Sequence, residues 1–161
     1  MSRAVIAFGA NLGDREQTIA AAARALADAD GVELLAVSPL YETPALKTTG
    51  VDHDAPGYLN GVLIVETALE PHALLDVLQG IETAQGRVRA ERWGDRTLDL
   101  DLIDVDGREL ADARLELPHP RAWQRAFVLA PWLDLEPDAV LPGRGPVAAL
   151  RAEASDEVVR R

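Results

Sequence analysis

Gly86-Arg-Val-Arg-Ala-Glu-Arg-Trp-Gly-Asp-Arg-Thr-Leu98-Asp-Leu-Asp-Leu102-Ile103 joins an arginine-rich stretch to an alternating one. From Leu98 to Leu102 the two-residue period of a strand sends Leu98, Leu100 and Leu102 to one face and Asp99 and Asp101 to the other. The leucines read as the core face. The two carboxylates, with Cα atoms roughly 6–7 Å apart at about 3.3 Å per residue, can lean together onto a hard divalent cation, which takes oxygen ligands. Magnesium suits such a pair. A lone Asp-x-Asp is more often a strand with one wet face, and the preceding stretch weighs against that here. Arg87, Arg89, Arg92 and Arg96 gather four guanidinium groups in a chain of formal net charge −11, offset only in part by Glu91 and Asp95. Their planar paired donors match phosphate oxygens. Carboxylates that hold metal beside arginines that hold phosphate are the parts of a phosphoryl-transfer site, where positioning and charge neutralisation do nearly all the work. From chemistry alone, a nucleoside triphosphate with magnesium is the first candidate ligand.

Length and composition bound the rest. At 161 residues and 48% hydrophobic content, residues 1–161 suit one globular domain, able to bury roughly 68–70% of the unfolded surface. The apolar run near Met1 is too short for a secretion signal, and no stretch nears the ~18 apolar residues of a membrane span. A cytoplasmic monomer without membrane association is expected. With no cysteine, disulfides, thiolate metal sites and cysteine nucleophiles are excluded. The acidic balance argues against nucleic-acid binding, which needs a basic face. The single lysine, Lys47, and the lack of a Gly-x-x-x-x-Gly-Lys-Ser/Thr run exclude a lysine-based P-loop.

Working outward, Ala4–Phe8 reads as a buried strand. Asp14 caps a helix whose stripe is Ile19, Ala22, Ala23 and Leu26, stopped at Gly31. Val32–Val37 is a second strand. From about Thr43 to Gly57 the prolines, glycines and polar residues predict a long functional loop. Tyr58–Thr67 is a third strand, and Pro71 opens a helix with Leu74, Leu75, Leu78 and Ile81 buried and Gly86 as its stop. After the aspartate strand come an extended Leu115–Pro120 and a helical stretch over 123–133, its apolar face Trp123, Phe127, Leu129 and Leu133, with Pro131 expected to kink or split it. A short helix begins near Val147. The order β-α-β-β-α-β followed by additional C-terminal helices is the ferredoxin-like α+β plan, an antiparallel sheet with crossover helices.

Five collinear motifs carry a resemblance. Gly9-x-Asn11-Leu12-Gly13-Asp14, Glu42-Thr43-Pro44, Tyr58-Leu59-Asn60, Trp93-Gly94-x-Arg96-x-x-Asp99-Leu-Asp101-Leu-Ile103 and Leu117-Pro118-His119-Pro120 together resemble the 6-hydroxymethyl-7,8-dihydropterin pyrophosphokinases of folate synthesis. The match runs from residue 4 to about 137. It implies transfer of the terminal diphosphate of ATP to the hydroxymethyl oxygen of the pterin, releasing AMP, on a ferredoxin-like fold with two magnesium ions.

Carried over by position, the resemblance implies that Asp99 and Asp101 hold the metals and that Arg87 and Arg96 act on the transition state. Gln79, Glu82, Arg87, Arg89, Trp93, Arg96, Ile103, His119 and Arg125 are implied to meet ATP. The pterin is implied to lie between Tyr58 and Phe127, with Asn60 on its hydrogen-bonding edge, Thr43, Pro44 and Leu46 closing the pocket and Trp93 as a lid. Such an arrangement is chemically sound, because a flat heteroaromatic gains stacking between two rings while a buried amide reads its donors and acceptors. Loops 44–57 and 87–96 are implied to fold over the ligands. Asp95 stands where the family has proline or a small residue, and it puts a negative charge beside Arg96. Without the motif context, Tyr58 and Phe127 read as core aromatics, His119, His53 and His72 as surface residues, and Gly9–Asp14 as a turn with a cap. Two other classes share some of these features. A metal-dependent glycosyltransferase or phosphohydrolase also uses Asp-x-Asp, and a non-catalytic RNA reader also uses the ferredoxin-like plan, though with a basic face and stacked aromatics.

Overall fold

The computed structural model describes residues 1–11, 13–47, 50–52, 57–85 and 98–161, with 45–47 and 50–52 given by their backbone alone. The chain runs β1 (Ser2–Ala10), α1 (Arg15–Asp28), β2 (Val32–Val37), β3 (Tyr41–Thr43), β4 (Ala45–Lys47), β5 (Gly50–Asp52), β6 (Tyr58–Thr67), α2 (Pro71–Ala84) and β7 (Leu98–Val105). It continues as β8 (Leu110–Ala111), β9 (Glu116–Leu117), a 3-10 turn at Ala122–Gln124, α3 (Ala126–Leu135), β10 (Val140–Leu141), β11 (Gly145–Pro146), α4 (Val147–Glu153) and β12 (Val159–Arg160).

An antiparallel sheet carries the fold. β1 lies between β7 and β6, and the far edge of β6 pairs first with β3 and then with β2, while β12 adds to β3. β1 is central because both of its faces can be buried, which is why it reads as a continuous apolar run. Ala4, Ile6, Phe8 and Ala10 face one cluster with Ile19 and Leu26 of α1, Leu74 and Leu78 of α2, and Leu98, Leu100 and Leu102 of β7. Val5 and Ala7 face a second cluster with Val62 and Ile64 of β6 and Val128, Leu129 and Trp132 of α3. Helices therefore cover both faces. Each fully buried leucine contributes roughly 1.5–3 kcal/mol of transfer free energy.

Local signals explain the helix starts. The Asp14 carboxylate accepts from Gln17 N at 3.1 Å, capping α1, and Pro71 occupies the first turn of α2, where no amide is needed. Gly31 at φ +80 turns the chain into β2, and the Gly86 stop falls outside the described residues. Two expectations need correction, and one strand is new. The long loop after Thr43 contains the paired strands β4 and β5, registered Ala45 with Asp52 and Lys47 with Gly50. Strands of three residues are too short for a periodicity to show. The helix over 123–133 breaks at Arg125, whose backbone is extended at φ −108 and ψ 104, and α3 runs on through Pro131. Trp132, 2% exposed, joins the buried set there, because a helix apolar on nearly every side has no periodic face to read. Finally, β12 follows α4 as an edge strand that no sequence pattern announces.

Candidate active site

The register of the sheet builds the site. Gly9 of β1 pairs with Asn60 on one side and Asp99 on the other, and Ala7 pairs with Val62 and Asp101. Cross-strand partners share a face, so Asn60, Asp99 and Asp101 all point to the side covered by α3 and α4, opposite the leucines of β7. At this end of the sheet that cover stops. A cleft of about 620 Å³ opens there, lined by Gly9, Thr43, Pro44, Tyr58, Asn60, Asp99, Asp101, Arg125 and Phe127, and closed by Ser155, Asp156 and Glu157. Its size is that of a small-molecule site.

Gly9 keeps the floor low, because a Cβ there would stand 3.1 Å from Asn60 Oδ1 and 3.6 Å from Tyr58 Cδ1. Asn60, 5% exposed, donates from Nδ2 to Thr43 Oγ1 at 2.9 Å and to Tyr58 O at 3.4 Å. Both amide protons are thereby used, and among the described residues Oδ1 remains as an acceptor for a ligand. Across the cleft, the Arg125 guanidinium carbon lies 5.5 Å from the centroid of the Phe127 ring, within cation–π range.

A second groove of about 350 Å³ adjoins the first, and Asp101 lines both. Its walls include Leu75, Leu100, Arg114, Glu116, His119 and Pro120. His119 is tethered beside β7 because its backbone N donates to Ile103 O at 2.8 Å, and its Nδ1 accepts from Arg121 N at 3.2 Å. Burial lowers the imidazole pKa below its ordinary value; Asp101 opposes the shift, and Arg125 and Arg121 add to it. In the neutral ring Nε2 therefore carries the proton.

Eight positions singled out from the sequence, Thr43, Pro44, Tyr58, Asn60, Asp99, Asp101, Arg125 and Phe127, share the first cleft. His119 faces the second. Glu82, 5% exposed, accepts from Leu100 N at 2.9 Å and so fastens α2 to the outer edge of β7, between the two aspartates. Gln79 is exposed at the helix surface and accepts from Arg114 Nη2 at 3.4 Å. Ile103 is a core side chain, 1% exposed. Arg87, Arg89, Trp93 and Arg96 lie outside the described residues, as does the side chain of Leu46. Sequence reasoning missed Arg114 in the second groove and Ser155–Glu157 in the first. No local motif marks either of them.

Among the described residues no group of three or more His, Asp or Glu side chains converges as a metal cage. The Asp99 and Asp101 pair nevertheless has the donor chemistry that magnesium takes, one or two carboxylates completed by water and phosphate oxygens.

The model of a family described as 7,8-dihydro-6-hydroxymethylpterin-pyrophosphokinase (HPPK) matches residues 5–137. The chain is 43% identical over 162 residues to the 2-amino-4-hydroxy-6-hydroxymethyldihydropteridine pyrophosphokinase of Pseudomonas aeruginosa, covering 100% of this chain and 97% of that protein. It is 41% identical over 143 residues to the protein of the same name from Methylorubrum extorquens, covering 89% and 88%. Among solved structures, wild-type Plasmodium falciparum HPPK-DHPS superposes with a TM-score of 0.69 at 15% identity over 95% of this chain and 43% of that one. An HPPK-DHPS in complex with substrates gives 0.70 at 12% identity over 94% and 43%. The chain thus spans less than half the length of those two solved chains, and the likeness to them is one of fold.

Proposed function

Because the chain belongs to the 7,8-dihydro-6-hydroxymethylpterin-pyrophosphokinase family, we propose that it transfers the terminal diphosphate of ATP to the hydroxymethyl oxygen of 6-hydroxymethyl-7,8-dihydropterin, giving AMP and the pterin diphosphate in folate biosynthesis. The observation that carries this reading is the meeting, in one cleft, of Tyr58, Phe127 and Asn60 with Asp99 and Asp101. In this reading a flat-ring site and a phosphate and metal site share that one cavity.

In this reading the pterin ring stacks between Tyr58 and Phe127, and Asn60 Oδ1, freed by the bond from its amide to Thr43, accepts from an N–H on the heterocycle. Thr43, Pro44 and Leu46 border the ring. The hydroxymethyl group then faces the aspartates. Asp99 and Asp101 would hold two magnesium ions, which when bound neutralise triphosphate charge and lower the pKa of the attacking hydroxyl. ATP reaches the same aspartates from the second groove, where His119 Nε2 offers a donor to the nucleotide, while Arg125 meets it from the first cleft. Gln79, Glu82, Ile103, Arg89 and Trp93 are assigned to the nucleotide side. Arg87 and Arg96 supply charge stabilisation to the migrating diphosphate. Glu82 contributes by fixing the Leu100 amide and with it the spacing of its two neighbours.

The strand order β7-β1-β6 followed by β3 and β2 supports the ferredoxin-like plan, since it leaves each crossover helix on one face of the sheet. We take residues 1–161 to act as one catalytic unit, monomeric and cytoplasmic, with ATP and the pterin as partners and neither nucleic acid nor membrane among them. A net charge of −11 supports the first of those exclusions. For the second, among the described residues no helix is long and apolar enough to cross a membrane.

Incubation with ATP, magnesium and the reduced pterin alcohol, followed by separation of the nucleotides, tests the reaction. AMP and the pterin diphosphate in equal amounts are expected. ADP as the product would make it a simple kinase, and inorganic phosphate without pterin modification would make it a hydrolase; either overturns the reading.

A further inference from the structure

Residues 155–157 close the first cleft although they lie beyond the family match, which ends at residue 137. They belong to a segment bonded at both sides of that cleft. At one end Val159 and Arg160 pair with Glu42 and Tyr41 of β3, Arg161 N donates to Leu40 O at 2.8 Å, and the Arg161 guanidinium meets Glu16 at 2.8 Å and Glu42 at 3.6 Å. β3 ends on Thr43 and leads directly into Pro44. At the other end, the Asp156 carboxylate accepts from Ala126 N at 2.8 Å. Ala126 is the first residue of α3, and Arg125, the residue before it, makes no side-chain capping bond of its own. Asp156 therefore supplies, from thirty residues away, the cap that α3 lacks locally.

The position of that bond gives it a functional consequence. Ala126 is fully buried, and the residues on either side of it, Arg125 and Phe127, are the two that α3 contributes to the cleft. Only the extended backbone of Arg125 separates α3 from the preceding 3-10 turn. An uncapped first turn frays, and fraying here would let the Phe127 ring swing away from Tyr58. We propose that Asp156 is a positioning residue for pterin binding, holding the Arg125–Phe127 turn so that the Phe127 ring forms a fixed wall opposite Tyr58. The proposal rests on the pterin assignment above and adds to it a residue that touches neither motif nor metal.

The chain has two phenylalanines, Phe127 in the wall of the cleft and Phe8 in its floor with its side chain in the core, so fluorophenylalanine labelling gives one signal for the wall and one for the floor. In the wild-type protein, 6-hydroxymethylpterin should move the Phe127 resonance, and move it further than that of Phe8 in the floor. Asp156→Ala should shift or broaden the Phe127 resonance without ligand, leave Phe8 unchanged, and raise the KM for the pterin about tenfold, the usual scale of a lost helix cap. kcat should stay within about twofold. Asp156→Asn keeps an acceptor oxygen at the same place and should restore both readouts. A Phe127 signal that responds to the pterin yet ignores Asp156→Ala, with unchanged pterin KM, overturns the role of Asp156 alone. So does an Asp156→Asn variant as impaired as the alanine. A wild-type Phe127 signal indifferent to the pterin overturns the pocket assignment, and this proposal with it.

Discussion

The face of the sheet beneath α3 is sealed at one end and open at the other, and along three strands the change takes only four residues. On β1 the side chains shrink from Val5 to Ala7 to Gly9; on β6, Ile64 and Val62 give way to Asn60; on β7, Ile103 gives way to Asp101 and Asp99. At the sealed end Val128, Leu129 and Trp132 fill the space above Val5 and Ile64. At the open end the same layer is a cleft of about 620 Å³. The opposite face shows no such gradient, because Ala4, Ile6, Phe8 and Ala10 stay buried under α1 and α2 along the whole of β1. One face therefore supplies stability throughout. The other divides its length between stability and chemistry, and a residue's position along the strand decides which of the two a substitution will harm.

Paired substitutions at the two ends should separate those roles most widely. Asp101→Ala removes a half-buried carboxylate at the open end and should lower turnover by about three orders of magnitude or more, with little change in Tm. Ile64→Ala empties a fully buried position at the sealed end. It should cost roughly 2–5 kcal/mol and lower Tm by roughly 5–15 °C, while the protein that remains folded turns over normally. Thermal melts alongside the AMP assay check both. Equal losses of activity and stability in the two variants would erase the distinction.

Gly9→Val would carry the sealed end one row further. Its Cβ would press on Asn60 Oδ1, 3.1 Å away, and touch the Tyr58 ring at an ordinary contact distance of 3.6 Å. Crowding of this kind costs about 1–3 kcal/mol, so the pterin KM should rise about tenfold or more. The KM for ATP should hardly move, since the second groove does not include Gly9. The same crowding should lower Tm by roughly 2–10 °C. Steady-state kinetics with each substrate varied in turn decides the matter.

Which parts of this gradient can be read from sequence follows from the range of the interactions. The Leu98–Leu102 alternation, the Asp14 cap and Pro71 at a helix start are local, and each was legible because a residue and its near neighbours determine it. Tyr58, Asn60 and Phe127 were reached through motif resemblance; periodicity alone assigns them to a core. The row Asn60–Gly9–Asp99 was not legible, because register depends on pairings between strands some fifty and ninety residues apart. The break at Arg125 was hidden by a helix with apolar residues on all sides. Asp156 gave no signal at all, for its partner is a backbone amide, and every residue but proline carries one.

The smallest expected effect concerns the boundary between the two ends. Tyr41 lies opposite Asn60 in the register of β3 with β6, and its hydroxyl donates to the Asp134 carboxylate on α3. Burial, with that bond and the charge of Asp134 added, pushes the Tyr41 pKa up to about 12 from 10.0. Folding therefore favours the neutral phenol. The resulting stability is fully present below pH 10, where Tyr41 is protonated in both states, and is lost between pH 10 and about 12, where the unfolded chain ionises first. At pH 11 the loss should be on the order of 1 kcal/mol. Urea midpoints at pH 9 and pH 11 should fall further for the wild type than for Tyr41→Phe, which has no proton to lose. Since the chain has two tyrosines, ultraviolet titration of Tyr58→Phe follows Tyr41 alone, and a midpoint near 10 would mean that the pin between β3 and α3 is not made in solution.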